Sequence, residues 1–447
     1  MKLKPIITSP LENDLYKENM SNIIFMRYNG KKTIWCFKCR NEDVIFTPEM
    51  VQEIREQIDW YCEHIRYTDE DIAWLKKTCP WLSDGYLAYL KHWRPNRSEI
   101  LINEGNIQAY NNCGLAIEAH GMWLDTSKYE IPILAIVNEV YFAFKYGVGT
   151  KDIEFQKRTI EKFSKIVVQD VYDKVIDEEM RNGSHHAAMC SDDPADADSL
   201  PSEIYRKSHP YNIGTWSEFG LRRRYSGDMQ DWLIKFIVDQ KIPGFVGTSN
   251  MYLAKKYNVR PIGTMAHEFG QVVGQSDPEL NPAYSNRFVM KVWTDVYKTV
   301  NGIVLDDVIG SEVFLKDFDL TYATLFSGVR HDSGDPIQWG ENLLAHYAKL
   351  GIDATTKTLL FSDSLNFERA TKLRNHFNGR CKVAFGIGTW LANDIDVPAL
   401  NIVFKITECD GRPVAKLSNN IGKTMCRNNE YVEYLKRAID WRLRYDK

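Results

Sequence analysis

From Gly244 onward the chain repeats one arrangement. A short apolar run is followed by a polar cluster, and helix-like sequence such as ENLLAHYAKLG or NFERATKLRNHFNG separates most of the repeats. The runs are GFVGT (244–248), RPIGT (260–264), IVLDD (303–307), TLFSGVRHD (324–332), KTLLFSD (357–363) and KVAFGIGT (382–389). Strands alternating with helices predict a parallel sheet or barrel with helices outside. In every run the polar half comes last: GTSN, GTMAHE, DD, RHDSGDP, SDS, GIGT. The chemistry is therefore expected at the carboxyl ends of consecutive strands, where (β/α) barrels and open α/β sheets build their sites.

Upstream the texture is mixed. A strand is expected at 32–40, helical aromatic-rich sequence from Pro48 to Trp93, and a strand in LAIEAHGMW. The pattern IEFQKRTIEKFSKIVVQDVYDKVIDEEM keeps helical period up to Asn182-Gly183 and predicts one long helix. The turn-rich stretch 184–212 after it reads as a surface insertion or lid. A chain of 447 residues can bury a core large enough for more than one domain. Its formal net charge of −4 provides no basic field for nucleic acid. No apolar run is long enough to span a bilayer and the polar start is no secretory signal, so a cytoplasmic protein without membrane partners is expected. Nine scattered cysteines fit reduced thiols. Cys36 and Cys39 form a CxxC inside a strand-like alternation, with no second pair at zinc spacing, and read as structural. His185, His186, Cys190, Asp192 and His209 in the insertion match no metal-ligand spacing.

The strand ends carry groups suited to phosphorylated ligands. His267 sits at one of them, in RPIGTMAHEF. In GIGT, Gly386 and Gly388 let backbone amides approach an anion and Thr389 adds a hydroxyl at a helix start. In RHDSGDP, Arg330 can grip phosphate or carboxylate, while Asp332 and Asp335 either serve a sugar or a hydrated Mg²⁺, or simply cap the next helix. Asp363, in the neighbouring SDS, adds a carboxylate. EFGLRRRYS offers Phe219 as a stacking surface and arginines for an anion.

Taken in order, EFGLRRRYS, GTSNMYLAKKY, PIGTMAHEF, VRHDSGDP, FSDSLN, FGIGTWLAND and PVAKLSNNIGK resemble the nicotinate phosphoribosyltransferase family, as do LENDLYKENM, FKCR and IPILAIVNEVYF nearer the start. The resemblance implies an irregular TIM-like (β/α) barrel at 135–400, flanked by an α+β domain from residues 1–134 on which a C-terminal segment, 401–447, packs. It implies a ligase-type enzyme of NAD salvage that joins nicotinate to 5-phosphoribosyl 1-pyrophosphate, with ATP as co-substrate and Mg²⁺ held by substrate phosphates and by Asp332 or Asp363. His267 would accept phosphate from ATP, with Thr264 beside it. Arg330 would hold an anionic group, Asp332 would lie near the ribose, and Thr389 with Gly386 and Gly388 would bind the 5-phosphate. Phe219, Arg222 and Ser249 would face nicotinate, and Tyr16 would reach the ring from the neighbouring subunit of a homodimer.

A histidine that accepts phosphate must be neutral at the attacking nitrogen, with an acid fixing the other. Asp307 is the candidate for that acid, but the sequence departs from the family's Leu-Thr-Asp-Thr motif, so Asp306 stays open. A related enzyme that uses nicotinamide carries aspartate where this chain has Ser249; serine donates to a carboxylate that aspartate would repel. Two further readings compete: a nicotinamide-using enzyme and a non-catalytic sensor of phosphoribosyl pyrophosphate.

Overall fold

The computed structural model describes residues 1–104, 113–166, 169–182, 200–417 and 424–446. In chain order the strands are β1 (Lys32–Cys39), β2 (Ile100–Ile102), β3 (Ile117–Met122), β4 (Thr215–Glu218), β5 (Phe245–Thr248), β6 (Arg260–Pro261), β7 (Ile303–Leu305), β8 (Gly328–His331), β9 (Thr358–Phe361), β10 (Lys382–Ile387), β11 (Ile402–Cys409) and β12 (Arg412–Pro413). They form two sheets. The five-stranded sheet runs β12-β11-β1-β3-β2, and the seven-stranded one runs β6-β5-β4-β10-β9-β8-β7.

Every pairing in the larger sheet is parallel. Followed in sequence its strands pass once around a ring, from β4 to β6 and then from β7 to β10 back onto β4. Strands β6 and β7 are not paired to each other, so the ring is open there: an α/β half-barrel. The strand residues Val304, Val329, Leu359, Phe361, Phe385 and Ile387 are buried on the face that the helices cover, where Phe361 packs on Trp339 and Phe377. Strand β4 is the one the apolar-run pattern misses, because only Trp216 in TWSE is apolar and the strand ends on the buried carboxylate Glu218.

Local signals set the helix starts. Thr47 accepts from Met50 N ahead of Pro48, and Thr68 and Asp71 close a capping box. Asp335 accepts from Gln338 N at 2.7 Å and caps the helix Pro336–Lys349, so of the two aspartates in RHDSGDP this one has the capping role. The expected long helix is two helices, Asp152–Phe163 and Gln169–Arg181. Between them Ile166 bridges to Tyr211, and that tertiary pairing overrides a helical period that the sequence continues without a break. In the insertion, Pro201–Ser208 is helical; His185, His186, Cys190 and Asp192 lie outside the described residues.

The two sheets are interleaved in sequence. Strand β11 returns from the barrel to pair antiparallel with β1, from Thr33↔Cys409 to Cys39↔Ile402, and this pairing buries Cys36 and Cys39. The expected boundary at 134/135 falls inside one buried helix, Glu130–Tyr146. Within the C-terminal segment, β11 packs on the N-terminal sheet through β1, while the last helix, Asn429–Tyr445, sets Val432, Leu435 and Ile439 against Ala283, Val308, Ile309 and Val313 of the barrel side. Arg442 pins it there through a buried ion pair with Asp317. Among the described residues no helix is long and apolar enough to cross a membrane.

Candidate active site

The carboxyl ends of the barrel strands surround a cavity of about 970 Å³. Phe219, Ser249, Thr264, His267, Arg330, Asp332, Asp363 and Thr389 all line it. It continues between the strands, past Val246, Leu360 and Ala384, to Ser327 and Thr358 at their opposite ends. That volume suits a ligand the size of a nucleotide.

At one corner His267 opens the helix His267–Gln275. Its Nε2 lies 2.8 Å from Asp307 Oδ1. Asp307 is buried and also accepts from Ser333 Oγ at 2.6 Å and Lys416 Nζ at 2.8 Å, so both its oxygens are committed. Burial, with Lys416 nearby, pushes the imidazole down to about 4 against the pull of Asp307. The ring is thus neutral at pH 7, its Nε2 proton held by the carboxylate and the Nδ1 lone pair free. Asp306 points elsewhere: it accepts from Trp339 Nε1 at 2.7 Å and is pushed up to about 7 by burial and by Asp307. Asp332 accepts from Ser362 Oγ at 3.0 Å and stands 3.6 Å from His267 Nε2. Burial would raise its carboxyl, but Arg330 and His267 hold it below the usual value. Arg330 donates to Met265 O at 3.1 Å, and its buried Nε has no partner among the described residues.

A flat slot lies opposite. Phe219 follows β4, and its ring covers Gly386 so closely that a Cβ there would stand 2.3 Å away. Gly386 therefore makes room for the aromatic rather than bringing a backbone amide to an anion. The helix after GIGT is a single turn, Thr389–Ala392, with Thr389 at the cavity wall. Glu218 fastens the slot: its carboxyl accepts from Gly220 N, from Gln230 Nε2 at 3.1 Å and from Thr248 Oγ1 at 2.6 Å, joining the ends of β4 and β5. Ser249 is held by its backbone, N to Glu218 O and O from Leu15 N, and its buried hydroxyl lies against Asp14, where it favours the ionised carboxylate against burial. Burial is the larger effect and raises the Asp14 pKa.

A third wall is cationic. Arg40, Arg222, Arg223, Lys405 and Lys416 all line the cavity. Burial and mutual repulsion push Arg223 down to about 9 and Lys405 to about 7, and Arg40 is lowered as well. Lys405 has no ion-pair partner among the described residues. Such a wall is completed by an anionic ligand.

The nicotinate phosphoribosyltransferase family profile matches residues 215–442, and the profile of that family's N-terminal domain matches residues 11–138. The chain is 36% identical over 437 residues to nicotinate phosphoribosyltransferase of Photorhabdus laumondii, covering 98% of this chain and 96% of that one. It is 37% identical over 443 residues to that of Proteus mirabilis, covering 98% and 96%. The chain belongs to the nicotinate phosphoribosyltransferase family. The fold agrees: the crystal structure of the Porphyromonas gingivalis enzyme superposes with a TM-score of 0.80 at 27% identity, covering 97% of this chain and all of that one. The Vibrio cholerae enzyme gives 0.79 at 30% identity, covering 98% and 95%.

Within this family member the structure sorts the candidates that the sequence offers. His267, Thr264, Arg330, Asp332, Phe219, Arg222, Ser249 and Thr389 line one cavity, Asp307 stands behind His267, and between Asp306 and Asp307 the hydrogen bond selects Asp307. Tyr16 stands in the same cavity as His267. It lines the cavity of its own chain, because Gly263, at the end of β6, lets the N-terminal segment pass with Tyr16 N only 2.7 Å from where a Cβ would stand. Among the described residues, His267, Asp307 and Asp332 are the one group close enough to hold a metal ion. Asp307 is already engaged by His267, Ser333 and Lys416, so it is a poor ligand. The sequence reading missed Asp14, Lys17, Arg40, Glu130, Arg223, Lys405 and Lys416 as site groups. Asp14 and Lys17 stand in the same LENDLYKENM motif as Tyr16, Arg40 ends FKCR, and Lys416 sits in PVAKLSNNIGK, so each was visible as part of a motif and not as chemistry.

Proposed function

We propose that this chain joins nicotinate to 5-phosphoribosyl 1-pyrophosphate, giving nicotinate mononucleotide and pyrophosphate, and that ATP drives the transfer through a phosphate carried on His267. The observation that carries the reading is the buried Lys416–Asp307–His267 series beside the cavity, which leaves Nδ1 unprotonated, as attack on the γ-phosphorus of ATP requires. That attack forms an N–P bond and releases ADP; water later takes the phosphoryl group. In the transfer itself the pyridine nitrogen bonds to the anomeric carbon as the C–O bond to pyrophosphate breaks. The protein's work there is orientation and charge balance. Phe219 supplies the stacking face for the ring and Arg222 and Ser249 the donors for its carboxylate. Arg40, Arg223 and Lys405 take the leaving pyrophosphate, Asp332 faces the ribose, and Arg330 and Thr389 hold its 5-phosphate. Mg²⁺ would be held by the substrate phosphates and by Asp332 or Asp363, hard oxygen donors lining the cavity that leave most positions to water and phosphate. When bound it would neutralise charge on the pyrophosphate.

One observation favours a second reading. Asp14 places a carboxyl against Ser249, where the amide of nicotinamide could donate to it. Steady-state assay with phosphoribosyl pyrophosphate, Mg²⁺ and either base, with and without ATP, separates the two. Product from nicotinate, increased by ATP, supports the proposal; turnover of nicotinamide alone overturns it.

A further inference from the structure

Behind the two halves of the site runs a buried chain of charges that the transfer chemistry does not use. Lys17 Nζ is fully buried, 2.6 Å from Glu130 Oε2 and paired with Glu268 Oε2 as well. Glu268 is the residue after His267, in the first turn of the same helix, and its other oxygen accepts from Ser127 Oγ. Glu130 reaches the other way, with Oε1 3.5 Å from Arg222 Nη1. Lys17 also lies 5.6 Å from the ring centre of its neighbour Tyr16. One ammonium therefore touches the turn that carries the phosphorylation site, and the carboxylate that competes for the nicotinate-binding guanidinium.

We propose that Lys17 is a positioning residue that transmits the state of His267 to Arg222, so that phosphorylation of the histidine prepares the site for the nicotinate carboxylate. The inference rests on the ATP-coupled reading above. A phosphoryl group brings roughly 1.5–2 negative charges to His267, which makes an ionised Glu268 next to it more costly. Burial already raises the Glu268 carboxyl, whereas Glu130, although burial opposes it, is held low by Lys17 and Arg222. Glu268 takes a proton from solvent, Lys17 turns its full charge to Glu130, and the 3.5 Å contact between Glu130 and Arg222 loosens. Arg222 is then free to pair with the substrate. By linkage, bound nicotinate favours the phosphorylated state by the same factor.

The test compares the nicotinate KM with and without ATP, alongside labelling of the protein by ATP carrying label in its γ-phosphate. In Lys17→Met, of similar length without charge, the ratio of the two KM values is expected to fall to about one while His267 is still labelled, and Lys17→Arg is expected to restore most of the ratio. A role in folding alone would lower labelling and kcat together and leave the ratio. If Lys17→Met does not fold, Glu268→Gln, which keeps the shape and removes the titration, gives the same collapse. A wild-type ratio in either variant, or loss of labelling in a folded one, overturns the proposal. Absence of label and of any ATP effect in the wild type overturns the ATP reading first, and this inference with it.

Discussion

The His267 corner and the cationic wall face each other across one cavity and are built on opposite plans. In the corner every charge has its partner before any ligand arrives: Lys416 and Ser333 hold Asp307, and Asp307 holds the imidazole. Along the wall burial lowers the pKa of Arg40, Arg223 and Lys405, and the charge of Arg222 beside them lowers each further. The corner is pre-organised for a reaction in which one nitrogen must be aimed, and reorganisation would cost rate. The wall gathers buried cationic groups around the cavity, an arrangement that favours a polyanion as ligand.

Asp307→Asn tests the corner and carries the largest expected effect. The amide keeps the shape but no longer fixes the imidazole tautomer, and phosphorylation of His267 is expected to slow by roughly 10²–10⁴-fold, measured by single-turnover labelling. Unchanged labelling would mean that the corner is not pre-organised in the way described.

Lys405→Met tests the wall. A hydrogen bond to a charged group contributes about 1.5–3 kcal/mol, so the KM for phosphoribosyl pyrophosphate is expected to rise about 10–100-fold with a smaller change for nicotinate. The same lysine gives the wall a pH signature. With its pKa near 7 in the empty cavity it is mainly neutral at pH 8, and an arriving anion raises that pKa, so binding takes up a proton; at pH 6 it is already charged. Calorimetry with inorganic pyrophosphate in two buffers at pH 8 is expected to show about one more proton taken up by the wild type than by Lys405→Arg. Equal uptake would remove Lys405 from the wall.

Phe219→Leu probes the uncharged slot between the two. Loss of stacking, about 0.5–1.5 kcal/mol, should raise the nicotinate KM by roughly 2–12-fold and leave labelling of His267 intact. Smallest is an expected null effect: because Tyr16 belongs to the same cavity as His267, specific activity should stay constant on dilution, checked by assay alongside light scattering. A fall in activity as an oligomer dissociates would return Tyr16, and with it part of the slot, to a partner chain.

Much of this was legible in the sequence for one physical reason. A parallel barrel strand must be apolar along its length and polar where it leaves the sheet, so six strand ends announced themselves together with His267, Arg330, Asp332 and Thr389. Strand β4 did not, since Trp216 is its one apolar residue and it ends in a buried acid. Charges whose meaning comes from packing were equally silent. Lys405 lies in β11, a strand of the smaller sheet, and reaches the barrel cavity only because β11 pairs with β1. Asp306 and Asp307 are adjacent and chemically identical in the sequence, and only the direction of each side chain separates the imidazole's partner from that of Trp339. The break near Ile166 and the docking of the last helix on the barrel side were set by contacts tens of residues and more than a hundred residues away, respectively, which local periodicity does not carry.

The central claim is that His267 carries phosphate from ATP. Incubation with ATP labelled in its γ-phosphate, followed by peptide mapping of the acid-labile, alkali-stable label, tests it most directly. The account predicts label on the peptide containing His267 and none in His267→Ala. Label that persists in His267→Ala, or an unlabelled wild type that makes mononucleotide at an ATP-stimulated rate, would contradict it.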